Sequence, residues 1–172
     1  MEYAVQARQA AAQPIQIVRG RSTRATLPGN IRKLFDEFYA GFRGKGGLNI
    51  VFYPGSGATG ECEIGCGVQL ESGGNAVTPA GLVATTVYFG PYDRMGPAHK
   101  AIHRWARESE HKLAGPSWEV YGRSYPSKTL FLNYSAPQIQ ALHATGDIDS
   151  RILIEAPGGP NGTEARRQIR PV

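Results

Sequence analysis

The sequence contains few of the features that mark the common enzyme and binding-protein classes. It has only two cysteines, and charged residues make up 19% of its 172 residues. No glycine-rich phosphate loop, serine nucleophile elbow or dinucleotide-binding fingerprint occurs in it. No run of residues is apolar enough to cross a membrane, and the start of the chain lacks the compact apolar stretch of a signal peptide. We therefore expect a cytoplasmic protein without a membrane partner.

The two cysteines do not indicate a redox or metal site. Cys62 and Cys66 lie four residues apart in a segment that alternates like a strand. That spacing separates them by about 13 Å, which is too far for a disulfide with each other. No second pair of cysteine or histidine residues accompanies them in zinc-ligand spacing. We expect both cysteines to behave as small buried apolar residues, and we expect neither a metal nor a cofactor.

The positive charge of the chain is too dispersed to indicate a nucleic-acid surface. The net charge is +5, with loose arginine groups at positions 19, 21 and 24 and at positions 166, 167 and 170. Neither group is a dense basic block interleaved with aromatic residues, so we expect no direct nucleic-acid contact. Hydrophobic residues make up 41% of the chain, as in a globular domain. The composition does not decide between a monomer and a homodimer.

The hydrophobic pattern predicts a strand–helix–strand–strand unit that occurs twice. In the first half, a strand at 15–26 precedes a helix with the apolar stripe Ile31, Leu34, Phe35, Phe38, Tyr39 and Phe42, and strands follow at 48–53 and 61–70. The second half repeats the order with a strand at 82–89, a helix marked by Met95, Ala98, Ile102, Trp105, Ala106 and Leu113, and strands at 117–121 and 151–156.

The repeat predicts an α+β domain with a pseudo-two-fold antiparallel sheet, two helices on one side of it and a central ligand cleft. A junction between two half-sheets is a common place for a small-molecule site. The expected segments are a flexible N-terminal segment (1–14), the domain (15–156, with halves of about 15–70 and 82–156 and an insertion at 122–149) and a disordered tail (157–172).

One strand carries the residues best suited to a ligand site. Alternation places Glu119 and Tyr121 on the same face of this strand. Aligning the two halves on Tyr53 and Tyr121 places Val51 at the position equivalent to Glu119. If this face lines the cleft, one carboxylate lies between aromatic rings, where it can bind a cationic or aromatic ligand or act as a general acid or base. The alternative is an exposed sheet face on which Glu119 contacts only water.

Other positions allow a functional and a structural interpretation side by side. Glu155 is either a second pocket carboxylate or a member of an ion pair at a sheet edge. Tyr92 precedes the second helix, where it either folds onto the pocket or packs at the helix entrance. Trp105 belongs to the apolar stripe, and its ring edge reaches either the core or the cleft. His99 and His103 have the i, i+4 spacing of metal ligands, but no third ligand is evident, so we expect a solvated helix face.

The segments VYFGPYDRMGPAHKAIHRW and GPSWEVYG together resemble the GyrI-like family, which also occurs as the effector-binding domain of some AraC- and MerR-type regulators. The matching features are the turn at 90–92, Gly96 and Trp105 in the helix, and the strand at 119–121. The resemblance covers about residues 15–156. It implies a pseudo-two-fold α+β domain with a central pocket, in which Glu119 is the pocket carboxylate.

The resemblance implies three alternative functions. The first is binding of a hydrophobic, aromatic or cationic small molecule by a stand-alone sensor or drug-sequestering resistance protein, since the residues before the first strand are too few for a helix-turn-helix module. The second is hydrolysis of a strained cyclopropane-type genotoxin, as in some stand-alone members, with Glu119 and Tyr121 as catalytic residues. The third is inhibition of gyrase through docking. The insertion at 122–149 departs from the family pattern and is a candidate lid.

Overall fold

The computed structural model describes residues 3–55, 60–89, 95–121 and 147–154. Its elements are β1 (Gln6–Ala10), β2 (Gln13–Thr23), α1 (Leu27–Gly41), β3 (Asn49–Tyr53), β4 (Glu61–Gln69), β5 (Ala76–Thr78), β6 (Gly81–Phe89), α2 (Gly96–Glu108), β7 (Leu113–Tyr121) and β8 (Asp147–Ile154). This confirms the predicted α+β class. No helix in these ranges is long and apolar enough to span a bilayer.

The strands form one antiparallel sheet in the order β1-β6-β8-β7-β3-β4-β2-β5. β3 and β7 pair at the centre. The first half of the chain places β4 and β2 on one side of this pair, and the second half places β8 and β6 on the other side. β1 and β5 extend the two outer edges. The predicted repeat is therefore confirmed as a pseudo-two-fold arrangement about the β3–β7 pair.

The register of the central pair defines which residues of the two halves are equivalent. Val51 pairs with Glu119, Asn49 with Tyr121, and Tyr53 with Ser117. A two-fold axis through the Val51–Glu119 pair relates Tyr53 to Tyr121, as the alignment of the two halves predicts. Directly paired residues of antiparallel strands project to the same face, so both tyrosines and Glu119 share one face of the sheet.

Both helices pack on that face. One core cluster joins Ile31 and Phe35 of α1, Ala98 of α2, and Val51 and Tyr121 of the central strands. Each helix has a proline in its first turn, where a fixed φ angle suits the helix and no backbone donor is needed. Residues of the opposite face form a second cluster, which consists of Ile15, Ile17, Ile50, Phe52, Val83, Trp118 and Val120.

Some boundaries differ from the sequence prediction. Residues 1–14 are not a purely flexible segment, because β1 pairs with β6 and β2 begins at Gln13. Four of the five β1 residues are exposed, so its sequence lacks the apolar alternation by which strands are recognised. Leu113 belongs to β7 and not to the second helix, because the chain leaves α2 through Glu110 in the left-handed region (φ 56°). The last strand begins at Asp147, four residues before the predicted start.

Candidate functional site

Glu119 lies on the helix-covered side of β7 and is only 4% exposed. Its carboxylate has three partners. The hydroxyl of Tyr121 donates to Oε2 at 2.9 Å, and the hydroxyl of Tyr53 donates to the same oxygen at 3.4 Å. Nε2 of His99 lies 3.0 Å from Oε1. A buried carboxylate is strongly destabilising unless it is paired and hydrogen-bonded, so these contacts offset the burial of Glu119.

His99 is the site residue that the sequence pattern did not identify. It lies in the first turn of α2, directly over the Glu119 position of the sheet, and its side chain is 34% exposed. The predicted solvated helix face is therefore wrong for His99, while His103, one turn later, is exposed. Within the described part of the chain, no group of three or more His, Cys, Asp or Glu residues could hold a metal ion.

The contact with Glu119 determines the titration of His99. Burial alone would lower the pKa of His99, but the hydrogen bond and the negative charge of Glu119 together outweigh burial and raise this pKa above 6.5. The pKa of His103 is lowered by partial burial and by the charges of His99 and Arg107. Burial, followed by the charge of Glu119, raises the pKa of the Cys66 thiol. Cys66 is consequently a protonated core residue and not a reactive thiolate.

A cleft of about 700 Å³ opens above Glu119. It lies between the sheet and the starts of both helices. The sheet contributes Tyr53, Cys62, Ser117 and Glu119. The approach to α1 and its first turn contribute Arg24, Leu27 and Pro28. The start of α2 contributes Met95, Gly96, His99, Lys100 and His103. Pockets that bind drug-sized ligands have volumes of roughly 300–1,000 Å³, so the cleft has the size of a small-molecule site.

The structure brings together most of the predicted site residues on the sheet. Tyr53 and Glu119 line the cleft. Tyr121 is buried and supports Glu119 from the core side through its hydroxyl. Val51 is completely buried in the core and does not line the cleft. Tyr92 and Glu155, together with the tail at 157–172 and most of the insertion at 122–149, lie outside the described residues.

Trp105 lies at a different place in the structure. Its ring stacks on His111 with a centroid distance of 5.1 Å and an interplanar angle of 21°. Trp105 lines a second, smaller hollow of about 360 Å³ together with Tyr3, Arg104 and Glu108. It does not belong to the lining of the Glu119 cleft. Of the two predicted alternatives for Trp105, core or cleft, the structure shows the first in part, because Trp105 is partly buried against the small core cluster of Ala84 and Ile102.

No protein-family model and no curated protein matches the sequence. Among solved structures, EcmrR in a complex with DNA has a TM-score of 0.61 at 14% identity, over 90% of this chain and 58% of that one. The crystal structure of the EcmrR C-terminal domain has a TM-score of 0.59 at 15% identity, over 91% of this chain and 100% of that one. SAV2435 bound to tetraphenylphosphonium has a TM-score of 0.53 at 11% identity, over 91% and 95% of the two chains.

A further match is the integron cassette protein VCH_CASS2 from the mobile metagenome of Vibrio cholerae, with a TM-score of 0.53 at 14% identity, over 90% of this chain and 98% of that one. At such low identities these matches show the fold alone. The chain spans the whole EcmrR C-terminal domain but little more than half of the full EcmrR chain, since it covers 58% of that length. The pseudo-two-fold sheet and these distant neighbours together support the GyrI-like fold that the motifs of the second half implied.

Proposed function

We propose that this chain binds a small organic molecule in the Glu119 cleft. The observation that carries the proposal is a carboxylate that is 4% exposed and yet lines an open cleft of about 700 Å³. A carboxylate with a purely structural role has no need of such a space beside it. SAV2435, which shares the fold, was solved with the aromatic compound tetraphenylphosphonium bound to it, and this supports a small molecule as the ligand.

The lining of the cleft indicates how a ligand would be held. Leu27, Met95 and the ring of Tyr53 offer apolar and aromatic surface, to which a planar ring binds through burial and stacking. Burial of 100 Å² of apolar surface corresponds to about 2.5 kcal/mol. Glu119 and His99 would orient a polar group of the ligand. An aromatic compound therefore fits the cleft better than an aliphatic one of the same size.

Replacement of Glu119 by Gln tests the proposal, because it removes the charge and preserves the shape. Calorimetric titration of planar aromatic compounds should reach saturation at one equivalent with the wild-type protein. For an uncharged aromatic alcohol, whose hydroxyl donates to the carboxylate, we expect the affinity to fall at least about tenfold in Glu119→Gln, which corresponds to roughly 1.4 kcal/mol. Glu37→Gln is the matched control, since Glu37 is an exposed residue of α1 outside the cleft. Equal affinities of folded wild-type and Glu119→Gln proteins would remove Glu119 from the site.

Hydrolysis is a second candidate function, and the His99–Glu119 contact favours it. An imidazole oriented by a carboxylate at 3.0 Å is suited to accept a proton from water. Glu119 and Tyr121 were predicted as catalytic residues. In this mechanism Glu119 would orient His99, and Tyr121 would orient the carboxylate of Glu119. A water molecule would transfer one proton to His99 and add its remaining hydroxyl to an electrophilic carbon of the substrate, such as one in a strained ring. The ring bond at that carbon would break, and its electron pair would take up the proton from His99.

Mass spectrometry separates the two functions. An enzyme converts cyclopropane-bearing compounds to products with one water added, in excess over the protein, and its rate rises with pH through the pKa of His99. If the compounds stay unchanged and are retained by the protein, the protein binds them without hydrolysing them.

Inhibition of gyrase stays a prediction from the family resemblance, and a supercoiling assay with added protein tests it.

A further inference from the structure

The charged residues around the Glu119 cleft are mainly basic. Arg24, Lys100 and His103 line it, and Glu119 is the one acidic residue among the described residues of the lining. Arg24 and Lys100 are exposed. Among the described residues, no ion pair includes Arg24 or Lys100.

The single carboxylate of the cleft is already paired. Oε1 of Glu119 contacts His99 at 3.0 Å, and Oε2 accepts hydrogen bonds from Tyr53 and Tyr121. Because the contact with Glu119 raises the pKa of His99, the imidazole keeps its proton to a higher pH than an isolated histidine does, and the protonated ring balances the charge of Glu119. A cationic ligand that pairs with Glu119 has to compete with this internal cation.

The two helices add to the positive potential of the cleft. Leu27 and Pro28 of α1 and Gly96 of α2 line it, so both helix starts face the same space. Neither helix has an acidic residue in its first turn, and neither N-cap residue makes a side-chain cap hydrogen bond. The partial positive charge of a helix start favours an anion. This contribution reinforces that of the basic side chains and does not define a site on its own.

We infer that the cleft prefers an aromatic ligand that carries an acidic group, such as a carboxylate, over an aromatic cation of the same size. The acidic group lies near Arg24 and Lys100, and the ring lies against Tyr53. This inference rests on the proposed binding function and adds the charge of the ligand. It departs from the cationic class that the family resemblance implies, because the acidic residue responsible for cation binding is here paired with His99.

Three probes of the same size and different charge test the inference: naphthoate, naphthylmethylammonium and naphthylmethanol. Each is titrated into the full chain at neutral pH and followed by calorimetry. Because two exposed cations each contribute a few-fold, we expect naphthoate to bind about tenfold more tightly than naphthylmethylammonium. Equal or tighter binding of the ammonium compound overturns the inference and leaves the binding function intact. Failure of all three probes to saturate the protein counts against the binding function as well.

Charge-removing variants locate the preference within the cleft. Arg24→Gln and Lys100→Gln should each weaken naphthoate binding about threefold and leave naphthylmethanol unchanged, because both residues are exposed and are not needed for folding. Lys112→Gln is the control, since Lys112 is exposed outside the cleft. If naphthoate affinity is unchanged in both cleft variants, or is reduced equally in Lys112→Gln, the proposed position of the acidic group is wrong.

Discussion

The two halves of the sheet share their strand order and differ at the pseudo-two-fold axis. Val51 of the first half and Glu119 of the second are paired directly. Val51 is completely buried in the core, whereas Glu119 has polar partners and adjoins a cleft. A repeated backbone frame therefore gives a filled core on one side of the axis and a polar site on the other. The difference depends on a few side chains and not on topology.

The helices show the same contrast. The first three buried residues have the same spacing in both helices, with Ile31, Leu34 and Phe35 in α1 corresponding to Ala98, Ala101 and Ile102 in α2. The α1 face is bulky, and its Phe35 ring meets the Tyr121 ring edge-on at 6.4 Å. The α2 face consists largely of alanine, which fills less volume against the sheet. Aligning the two helices by these positions places Arg32 of α1 where α2 has His99.

The largest effect is expected when the first half is given the carboxylate of the second. In Val51→Glu the new side chain is buried directly opposite Glu119 and has no partner of opposite charge, which should cost about 3–5 kcal/mol of unfolding free energy. Urea denaturation measures this loss. Val51→Gln is the neutral control, and the gap between the two variants should narrow as the pH falls, because burial raises the pKa of the new carboxyl. A gap that does not depend on pH would show that the charge of the new carboxylate is not the cause of the loss.

The two symmetry-related tyrosines should differ in their contributions. The Tyr121 hydroxyl lies 2.9 Å from Glu119 and is buried, and the Tyr53 hydroxyl lies 3.4 Å away at the cleft. We expect Tyr121→Phe to lower the unfolding free energy by about 1–3 kcal/mol, as for other hydrogen bonds to charged groups, and Tyr53→Phe to lower it by less than about 1 kcal/mol. Thermal and urea denaturation of both variants provide the comparison. A larger loss in Tyr53→Phe would reverse the assignment.

A smaller effect is expected in the pH dependence of the unfolding free energy that the His99–Glu119 contact produces in the second half. The pKa of His99 is higher in the folded chain than its ordinary value of 6.5. The contact therefore stabilises the fold fully below pH 6.5, and the stabilisation is lost as the pH rises through the folded pKa. His103, with a lowered pKa, contributes in the opposite direction. An NMR titration should show the pKa of His99 above 6.5 in the wild type and below it in Glu119→Gln, where burial acts alone.

The smallest effect is expected for the exposed ion pair of the first half. Arg19 Nη1 lies 2.7 Å from Glu63 Oε1, but both side chains are nearly half exposed, at 48% and 46%. Such pairs contribute about 0–1 kcal/mol, so Glu63→Gln should change the unfolding free energy by less than about 1 kcal/mol. Measurement in low and high salt should show that even this small difference is screened. If Glu63→Gln lowers the unfolding free energy as much as Tyr121→Phe does, then solvent exposure does not explain why the contacts of Glu63 and Glu119 differ in strength.

The sequence predicted the parts of the structure that depend on periodicity. Alternation in β3 and β7 was sufficient to place Tyr53, Glu119 and Tyr121 on one face, and the internal repeat was sufficient to identify Val51 and Glu119 as equivalent positions, which the structure pairs directly. The contact between His99 and Glu119 could not be predicted in this way, because periodicity gives the face of a helix but not its distance from a strand. The signal that could have indicated a partner for the carboxylate is the histidine in the first turn of α2.

Two further differences have local causes. β1 was missed because its residues are polar and its pairing with β6 is made through the backbone. Trp105 is on the helix face that the sequence indicated and packs against Ala84 and Ile102. Its stacking on His111 beside the second hollow, away from the cleft, could not be read from that face. In both cases the deciding interaction joins residues that no sequence period connects.

The most direct test of the central claim is to follow the histidine resonances by NMR while an aromatic ligand such as naphthoate is added. His99 and His103 line the Glu119 cleft, and His111 stacks on Trp105 at the second hollow. Binding in the cleft should shift the imidazole signals of His99 and His103 and leave that of His111 unchanged. A shift of His111 without a shift of His99 would place the ligand at the second hollow and contradict the account.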